Sequence, residues 1–416
     1  MSTGPERLFV SVEEAIDLIE QHLPPASSEV LPLDKASGRI LMEDLAATED
    51  LPRFANSAMD GFALREADLK GASKESPRSL PLAGEIAAGG DPAIPWPPGS
   101  CLRILTGAPA PADCEGVVPV EDCEEGDGVV HFHAELPREV RHLRPAGEDV
   151  QKGELLMENG RLLRPAEIAL LAAQGVRELP CARLPRVALL ATGNELADYR
   201  ESPGPSGIRD SNRPALKAML EAEGFQPELI GPAPDRKGAL SDLLASALDE
   251  YDCLVTIGGI SAGRYDLVGE SLQALGARWI FHKVTQQPAK PLAFFQWKAK
   301  PVFCLPGNPV SSFLAAWFYL LPALKRMSGH RKTRPPEVLA VLEESLSGKP
   351  KKSFFARAHT RWDDGQFLSR PCPPHGSHIL SSLGEANSFI LLPPGQGELP
   401  PGSGVKVFFF HPDISQ

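Results

Sequence analysis

Between residues 187 and 325, short apolar runs alternate with stretches in which apolar residues recur at helical spacing. The apolar runs predict buried strands at 187–191, 228–230, 254–257 and 301–305, and the helical spacing predicts helices at 215–223, 240–248 and 310–325. Strands that alternate with helices are typical of a parallel sheet with right-handed crossovers. Ligands of such sheets bind at the carboxyl ends of the strands. The loops that follow these strands are therefore the first candidates for a functional site.

The predicted strand 254–257 runs directly into Gly258-Gly259-Ile260-Ser261-Ala262-Gly263, and a helical pattern follows. The N–H groups of a glycine loop can point at one anion, and the start of the next helix favours negative charge there. The loop matches neither G-x-x-x-x-G-K-S/T nor G-x-G-x-x-G, so a phosphate site and a plain tight turn are both open. Asp266 favours a phosphate that is bridged to the carboxylate by a divalent cation. Its other interpretation is a helix N-cap.

Other polar side chains and glycines follow strands of this sheet or lie in loops that can reach the same edge. They are Glu195, Asp210, Ser211, Asn212, Asp235, Gly307, Asn308, Ser311 and Ser312. The alternatives are helix capping for the two serines and an Asx turn for Asp210. Because three strand ends carry such residues, the sequence predicts one site at this edge.

The segments outside this pattern are predicted to be mostly β. Residues 80–149 consist of short β-prone runs broken by Gly and Pro, and Asp127-Gly128 predicts a hairpin turn between the runs 117–120 and 129–132. After a basic, proline-marked linker, the runs 354–362, 388–392 and 405–410 predict a second small β domain. Helices are predicted after the capping box Ser11–Glu14 and over 164–178.

Asp60 lies in a polar loop within the stretch 51–65, Thr106 and Asp149 lie in turns of the β-prone segment 80–149, and Arg357 lies on an alternating strand. Taken singly, each loop residue is interpreted as part of a surface turn, and the arginine as a solvated side chain. Only their combination with the rest of the chain favours a site.

Composition narrows the class of protein. The net charge is −12, from 42 Lys and Arg against 54 Asp and Glu, which argues against a nucleic-acid surface. The seven cysteines include no C-x-x-C pair, which predicts neither a zinc site nor a disulfide framework and fits reduced cytosolic thiols. The N-terminus lacks an apolar signal core, and no run approaches the roughly 20 apolar residues of a membrane span. We expect a soluble, cytoplasmic protein of several domains.

Eight short motifs, in this order, resemble the molybdopterin molybdenumtransferase family, which includes the MoeA proteins and the E domain of gephyrin. They are NSAMDGFA (56–63), RILTGAPAP (103–111), RPAGED (144–149), ATGNEL (191–196), RDSN (209–212), TIGGISAGRYD (256–266), LPGNPVS (305–311) and GSHILSSLGEAN (376–387). Each motif alone is weak, but the combination is specific and extends from about residue 8 to the end of the chain.

The resemblance implies a multidomain α/β fold in four parts. These are a linker and dimerisation segment at 28–50 and 150–183, a mostly β insert domain at 51–149, a MogA-like parallel α/β molybdopterin-binding domain at 8–27 and 184–330, and a C-terminal β domain at 331–416. It also implies a homodimer, with a cleft between the insert of one subunit and the α/β domain of the other. A MogA-type adenylyltransferase and molybdoenzymes are the implied protein partners.

The implied reaction inserts molybdenum from molybdate into adenylated molybdopterin, releases AMP and requires Mg²⁺. Carried over residue by residue, the resemblance implies catalytic roles for Asp60, Thr106, Glu195, Asp235, Asp266 and Lys290, with Glu195 and Asp266 holding the metal. Molybdopterin-AMP would contact Asp149, Asp210, Ser211, Asn212, Gly258, Gly259, Ser261, Gly263, Pro306, Gly307 and Asn308. Molybdate would contact Lys290, Pro291, Ser311, Arg357 and Ser377. These cations and hydroxyl donors suit a small dianion.

The chain departs from the family pattern at two places. Many relatives have a basic residue followed by Pro-Gly-Lys-Pro, whereas this chain has Gln287-Pro288-Ala289-Lys290-Pro291 and so lacks the first cation and the glycine. This bears on the strength of the oxyanion site. His375 stands where glutamine is common.

Two other functions are weighed against this one. The first is a scaffold that binds molybdopterin without turnover, and the second is a nucleotide hydrolase of the CinA type, which has a similar α/β domain. The motif at 56–63 and the β insert disfavour the hydrolase. The joint presence of Glu195, Asp266, Lys290 and Arg357 disfavours the scaffold.

Overall fold

The computed structural model describes residues 7–139, 141–233, 237–260 and 267–411. Contacts within the chain divide it into two units. The first unit comprises residues 1–29, 38–40 and 181–416, and the second comprises residues 30–37 and 41–180.

Strands outnumber helices in the described residues. The strands are β1 Arg7–Val10, β2 Ser28–Pro32, β3 Leu45–Ala46, β4 Asn56–Ser57, β5 Gly61–Leu64, β6 Arg78–Ile86, β7 Cys101–Ile104, β8 Gly116–Pro119, β9 Cys123–Gly126, β10 Val129–Phe132, β11 Leu143–Arg144, β12 Leu155–Met157, β13 Glu178–Ala182, β14 Val187–Thr192, β15 Leu196–Ala197, β16 Ile208–Arg209, β17 Glu228–Ala233, β18 Cys253–Ile257, β19 Arg278–Val284, β20 Gln286–Gln287, β21 Ala293–Trp297, β22 Lys300–Leu305, β23 Glu337–Leu342, β24 Leu346–Ser347, β25 Ser353–Asp363, β26 Gln366–Pro371, β27 Ser388–Leu392, β28 Glu398–Leu399 and β29 Gly404–Phe409. The α-helices are α1 Val12–Gln21, α2 Pro165–Ala173, α3 Asn212–Ala222, α4 Lys237–Glu250, α5 Leu267–Ala274, α6 Pro309–Ala315, α7 Leu321–Met327 and α8 Ser381–Glu385. Short 3₁₀ turns lie at Leu33–Lys35, Glu66–Leu69 and Val120–Asp122. No helix among the described residues is both long and apolar enough to cross a membrane.

A seven-stranded sheet with the order β1-β19-β21-β22-β18-β14-β17 organises the first unit. Within this sheet six strands run in one direction, and β21 runs antiparallel to both of its neighbours. Every residue of β14 and β18 is buried. Leu189 packs in one core and Leu190 in another, which is the pattern of a sheet covered on both faces.

The predicted parallel arrangement is found in β14, β18 and β22, the neighbouring strands that carry the candidate loops. Strands β1, β19 and β21 were not predicted from the sequence. The antiparallel turn from β19 to β22 contains no helix, so it interrupts the alternation of strands and helices on which the prediction rested.

The helix predicted at 310–325 spans 309–327, as α6, a π-helical turn at Ala316–Leu320 and α7. The aromatic residues of the π turn join the C-terminal domain to the core of the sheet. The Trp317 ring centroid lies 5.6 Å from that of Phe389, and the Phe318 ring centroid lies 4.9 Å from that of Phe355.

The C-terminal domain is a closed barrel, because β25 pairs with both β26 and β27 in the order β25-β26-β23-β29-β27. Side chains alternate along β25. Phe354, Ala356 and Ala358 fill the barrel, while Phe355 packs in the core shared with the sheet. Strand β20 pairs in parallel with the start of β25, so the chain after β20 is fixed next to the barrel.

The second unit contains a six-stranded sheet with the order β8-β5-β7-β6-β10-β9. Asp127 and Gly128 form the predicted turn with positive φ angles of 52° and 74°. The predicted partner strand was wrong, however. The hairpin pairs β10 with β9, and β8 lies at the opposite end of the sheet beside β5.

An α/β domain with a β-rich insert and a C-terminal β domain is thus the observed fold class, as predicted.

Candidate active site

The loops after the neighbouring parallel strands β18 and β22 meet at one edge of the sheet. The backbone N–H of Gly258 donates to the carbonyl of Leu305 at 3.0 Å. Gly307 lies so close that a Cβ added to it would be 3.6 Å from the Cα of Gly258. Pro306, between these loops, is buried, whereas Gly307 and Asn308 are exposed.

Glycine is required at both positions after β18. Gly258 and Gly259 have φ angles of +84° and +68°, which L-residues with a side chain rarely adopt. A Cβ on Gly259 would also lie 2.5 Å from the Thr192 Oγ1 and 2.6 Å from the Val268 Cγ2. The loop is therefore packed directly onto the end of β14 and the start of α5, and only a bare backbone fits.

Thr192 also lies at this edge and was not predicted as a site residue. It ends β14, it is 5% exposed, and its hydroxyl has no hydrogen-bond partner among the described residues. A buried hydroxyl is normally paired, so one without a partner beneath a glycine loop marks a position that a ligand can satisfy. The sequence does contain a feature that could have indicated this residue, because Thr192 is the polar residue at the end of an apolar strand, directly before Gly193.

Glu195 lies on the same edge and is exposed. Both of its carboxylate oxygens fold back toward Gly193, within 2.6 Å of where a Cβ on that glycine would be. Among the described residues the carboxylate has no hydrogen bond or ion pair, so it is available to a ligand. Asp266, its predicted partner, lies outside the described residues, as do Asp235, Ser261 and Gly263.

The Asp210 carboxylate is bound by neighbouring groups of its own chain. It accepts from the backbone N–H groups of Asn212 and Arg213 at 3.1 and 3.2 Å, and it forms a buried ion pair with the Arg213 guanidinium. This is the Asx turn that the sequence left open. The turn directs Asn212, whose side-chain amide donates to the Gly307 carbonyl at 2.7 Å. Ser211 is half-buried between them.

The loop that carries Lys290 and Pro291 contacts the start of α6. The Ser311 hydroxyl does not cap this helix but accepts the backbone N–H of Ala289 at 3.2 Å. Lys290 itself is exposed, and its ammonium lies 5.4 Å from the ring centroid of Phe9. The backbone next to Lys290 is therefore bound to Ser311, while the ammonium group of Lys290 lies beside Phe9.

Arg357 is not a solvated side chain but is fully buried, at 0% exposure. One terminal nitrogen donates to the carbonyls of Pro374 and Gly376 at 2.7 and 3.3 Å, and its Nε has no partner. No carboxylate pairs with it among the described residues, and burial lowers the pKa of the guanidinium. An isolated buried cation is costly, so this arginine is a candidate for an anionic ligand.

The same loop of the C-terminal domain carries Ser377. The Asn308 side-chain amide donates to the Ser377 hydroxyl at 3.0 Å, and the N–H of Val310 donates to the Ser377 carbonyl at 3.2 Å. Neighbours in sequence therefore carry the contacts between these segments: Ala289 contacts Ser311, Val310 and Asn308 contact Ser377, and Gly376 contacts Arg357.

His375 lies between the two carbonyls that Arg357 binds. Its ring contacts Phe354 edge-on, with centroids 5.6 Å apart, and its Nδ1 is buried without a partner in the described part of the chain. Burial, together with the charges of Arg357 and Lys349, lowers the pKa of His375 to about 4. The imidazole is therefore neutral at physiological pH, so it adds no further charge beside the buried arginine.

In the second unit, Asp60 and Thr106 form a pair. The Thr106 hydroxyl and N–H both donate to one carboxylate oxygen of Asp60, at 2.7 and 2.6 Å, and these bonds lower the pKa of Asp60. Asp149 follows β11, which pairs with β4 just before Asp60. All three residues are exposed.

A cavity of about 700 Å³ in the first unit lies away from these residues. Helix α1, the π turn and the barrel line it, and none of the predicted site residues does.

Three family models match consecutive parts of the chain. They describe the MoeA N-terminal region (domains I and II) at residues 10–175, a probable molybdopterin-binding domain at 188–326, and the MoeA C-terminal region (domain IV) at 340–410.

Proteins similar to this chain along its whole length are named molybdopterin molybdenumtransferase. The one from Haemophilus influenzae is 32% identical over 96% of this chain and 98% of its own, and the one from Synechococcus elongatus is 34% identical over 96% and 99%. A solved structure of the molybdopterin biosynthesis MoeA protein from Pyrococcus horikosii has a TM-score of 0.83 at 29% identity, and covers 97% of this chain and 99% of its own.

Proposed function

Because this chain belongs to the molybdopterin molybdenumtransferase family, transferases of molybdenum cofactor biosynthesis, we propose that it inserts molybdenum from molybdate into adenylated molybdopterin and releases AMP. The observation that carries the proposal is the fully buried Arg357, which lacks a carboxylate partner among the described residues and donates to the carbonyl of Gly376, next to Ser377.

Molybdate suits this cluster. A tetrahedral dianion can accept hydrogen bonds from a guanidinium, an ammonium and two hydroxyl groups at once, and such charge-assisted bonds are about twice as strong as neutral ones. A dianion next to Arg357 would also offset the cost of burying that charge. Gln287 supplies no cation, so Lys290 and Arg357 are the cations that we propose for the site.

The nucleotide part of the second substrate suits the adjacent sheet edge. Gly258 and Gly259 present bare backbone beside the unpaired Thr192 hydroxyl, which favours a phosphate group. Asn212, fixed by Asp210 and bonded to the Gly307 carbonyl, holds the neighbouring loop in place. The two substrates would then meet between this edge and Arg357.

We propose Mg²⁺ as the metal, held by Glu195 and Asp266. The donor set fits, because the Glu195 carboxylate supplies hard oxygen atoms and has no partner among the described residues. The described residues hold no group of three or more His, Cys, Asp or Glu side chains suited to a metal. Mg²⁺ needs none, because it commonly binds one or two carboxylates together with substrate phosphates. When bound, it would neutralise phosphate charge.

The residues of the chain then act by positioning and electrostatics, since phosphoryl chemistry requires little covalent participation of the protein. Lys290 and Arg357 would hold molybdate and stabilise its negative charge. The glycine loop would fix the phosphate group of the adenylate next to it. Asp60, kept ionised by Thr106, and Asp149 are proposed to contact molybdopterin-AMP.

We also propose that the active species is a homodimer that receives its substrate from a MogA-type adenylyltransferase and delivers product to molybdoenzymes. Exposed apolar side chains on the predicted dimerisation segment support this. Val30 is 66% exposed and Leu155 is 57% exposed in the single chain. Analytical ultracentrifugation tests the dimer, and a monomer at micromolar concentration that retains full activity would contradict it.

The experiment that tests the reaction incubates the full chain with molybdopterin-AMP, molybdate and Mg²⁺, and measures free AMP. We expect AMP release that requires both molybdate and Mg²⁺. Release without molybdate would instead indicate a nucleotide hydrolase, and no release would leave a scaffold that binds molybdopterin.

A further inference from the structure

Ala289, next to Lys290, has an unusual backbone conformation. Its φ angle is +63°, in the left-handed region that glycine adopts freely and alanine does not. The residue is 1% exposed, so the strain is held inside the protein. Alanine carries a Cβ, so this chain must hold the turn without the freedom of glycine.

Two hydrogen bonds hold Ala289. Its N–H donates to the Ser311 hydroxyl at 3.2 Å, and its carbonyl accepts from the Gln286 side-chain amide at 3.3 Å. Gln286 is fully buried. Its backbone is fixed by β20, where it pairs with Ser353 at the start of the strand that carries Arg357.

The other end of the Gln286 side chain is bound by Tyr319. The phenol donates to the Gln286 Oε1, and Tyr319 is 2% exposed within the π-helical turn. Burial raises the pKa of Tyr319 well above its ordinary value, so the phenol keeps its proton and remains a donor. π-Helical turns within α-helices are often found at functional sites.

We propose that Tyr319 is a positioning residue for Lys290, which acts by holding Gln286 so that Gln286 keeps Ala289 in its left-handed conformation. Tyr319 does not touch the substrate. It determines where the next residue, Lys290, presents its ammonium group. This inference rests on the proposed function only in taking molybdate as the ligand of Lys290.

The proposal predicts a specific coupling between residues 319 and 289. Tyr319→Phe removes the donor and frees the Gln286 side chain, so the turn relaxes and Lys290 is displaced. Glycine has no penalty at a φ of +63°, so Ala289→Gly makes the support of Tyr319 less necessary. The effect of Tyr319→Phe should therefore be smaller in the Ala289→Gly background.

The test measures equilibrium binding of molybdate to the full chain by calorimetry. We expect Tyr319→Phe to raise the Kd about tenfold and Gln286→Met to do the same, while Tyr319→Phe in the Ala289→Gly background raises it less than threefold. Tyr251→Phe is the matched control. Tyr251 is also a buried residue whose hydroxyl donates to a side chain, that of Glu228 at 2.6 Å, but it is not in contact with this turn. We expect no change in the Kd of that variant.

Hydrogen exchange of the Ala289 amide gives a readout that does not depend on molybdate. We expect faster exchange in Tyr319→Phe than in the native chain, and native exchange in Tyr251→Phe. If the native chain binds no molybdate but exchange changes as expected, the proposed function fails and the support of the turn stands. The proposal would be overturned if Tyr319→Phe left the exchange of the Ala289 amide unchanged. It would also be overturned if Tyr319→Phe raised the Kd equally with alanine and with glycine at position 289.

Discussion

The side-chain amide of Asn308 donates to the hydroxyl of Ser377 at 3.0 Å. Asn308 follows a strand of the sheet, and Ser377 lies in a loop of the barrel domain between β26 and α8. The contact therefore joins the edge proposed to bind the nucleotide to the residues proposed to bind molybdate. It explains how two domains of the first unit can build one site.

Asn308→Ala should lower both the stability of the chain and its affinity for molybdate. Loss of one hydrogen bond should lower the free energy of unfolding by about 1 kcal/mol, and we expect the Kd for molybdate to rise several-fold as Ser377 moves. Asn308→Asp can still accept a bond from Ser377 but adds a negative charge, so it should bind molybdate more weakly than the alanine variant. Denaturant unfolding and calorimetry check both. Better binding by the aspartate variant would contradict the account.

Arg357→Met should remove binding without loss of stability. Methionine has a similar length and no charge to bury, so we expect the free energy of unfolding to stay equal or to rise, while molybdate binding weakens more than tenfold. Arg361→Met is the control on the same strand, because Arg361 pairs with Glu343 at 2.6 Å on the exterior. It should leave binding unchanged. Native affinity in Arg357→Met would contradict the assigned role.

Thr106→Val should raise the pKa of Asp60. The hydroxyl of Thr106 is the larger of the two causes that lower this pKa, and valine removes it. The pKa of Asp60 is lower in the folded chain than in the unfolded one, so ionised Asp60 stabilises the fold. This contribution to the free energy of unfolding is present above the unfolded pKa and is lost as the pH falls through the folded pKa. NMR titration of the Asp60 carboxyl measures the shift, with Thr106→Ser as a control that keeps the hydroxyl. An unchanged pKa in the valine variant would exclude this cause.

His375→Gln should flatten the loss of stability in acid. The pKa of His375 is about 4 in the folded chain, against about 6.5 in an unfolded one. Between these pH values His375 is protonated in the unfolded chain and neutral in the folded one. The free energy of unfolding therefore rises with pH through this window and no longer depends on His375 above it. Unfolding at a series of pH values should show a steeper fall below pH 6 for the native chain than for the variant. Parallel curves would show that His375 does not titrate in this way.

Gly259→Ala should be more harmful than the same change at an open turn. The new methyl group would meet Thr192 and Val268 at under 3 Å in a left-handed backbone, so we expect a loss on the order of 2–4 kcal/mol of unfolding free energy. Gly276 also has a positive φ angle, of 85°, but has no atom within 4 Å of the added Cβ. Gly276→Ala should therefore cost only about 1–2 kcal/mol. Equal losses would contradict the close packing.

Much of the fold is predictable because local patterns agree with burial. The alternation of strands and helices gave β14, β18 and β22, and the capping box gave α1, where the Ser11 hydroxyl accepts the N–H of Glu14 at 3.1 Å. The antiparallel β21 was missed because a turn without a helix leaves no alternation to detect. The hairpin partner of β10 was wrong because the run 117–120 is more apolar than the actual partner, β9, which is CEEG.

The site was predicted less completely than the fold, for reasons that concern tertiary contacts. Residues that follow strands could be placed from sequence, but no pattern indicates that Arg357 is buried, since the alternation on β25 allows either face to be exposed. Gln286 and Tyr319 contact each other over 33 residues and appear in the sequence as an unremarkable amide and an aromatic residue of an apolar helix. Their role depends on the conformation of Ala289, which the sequence alone does not reveal.

The central claim is that molybdate binds between Lys290 and the buried Arg357. Crystals of the full chain soaked with molybdate, with diffraction recorded at the molybdenum absorption edge, test it most directly. The account predicts an anomalous peak within hydrogen-bonding distance of Lys290, Ser311, Arg357 and Ser377. A well-occupied peak at another place, with none beside Arg357, would contradict it.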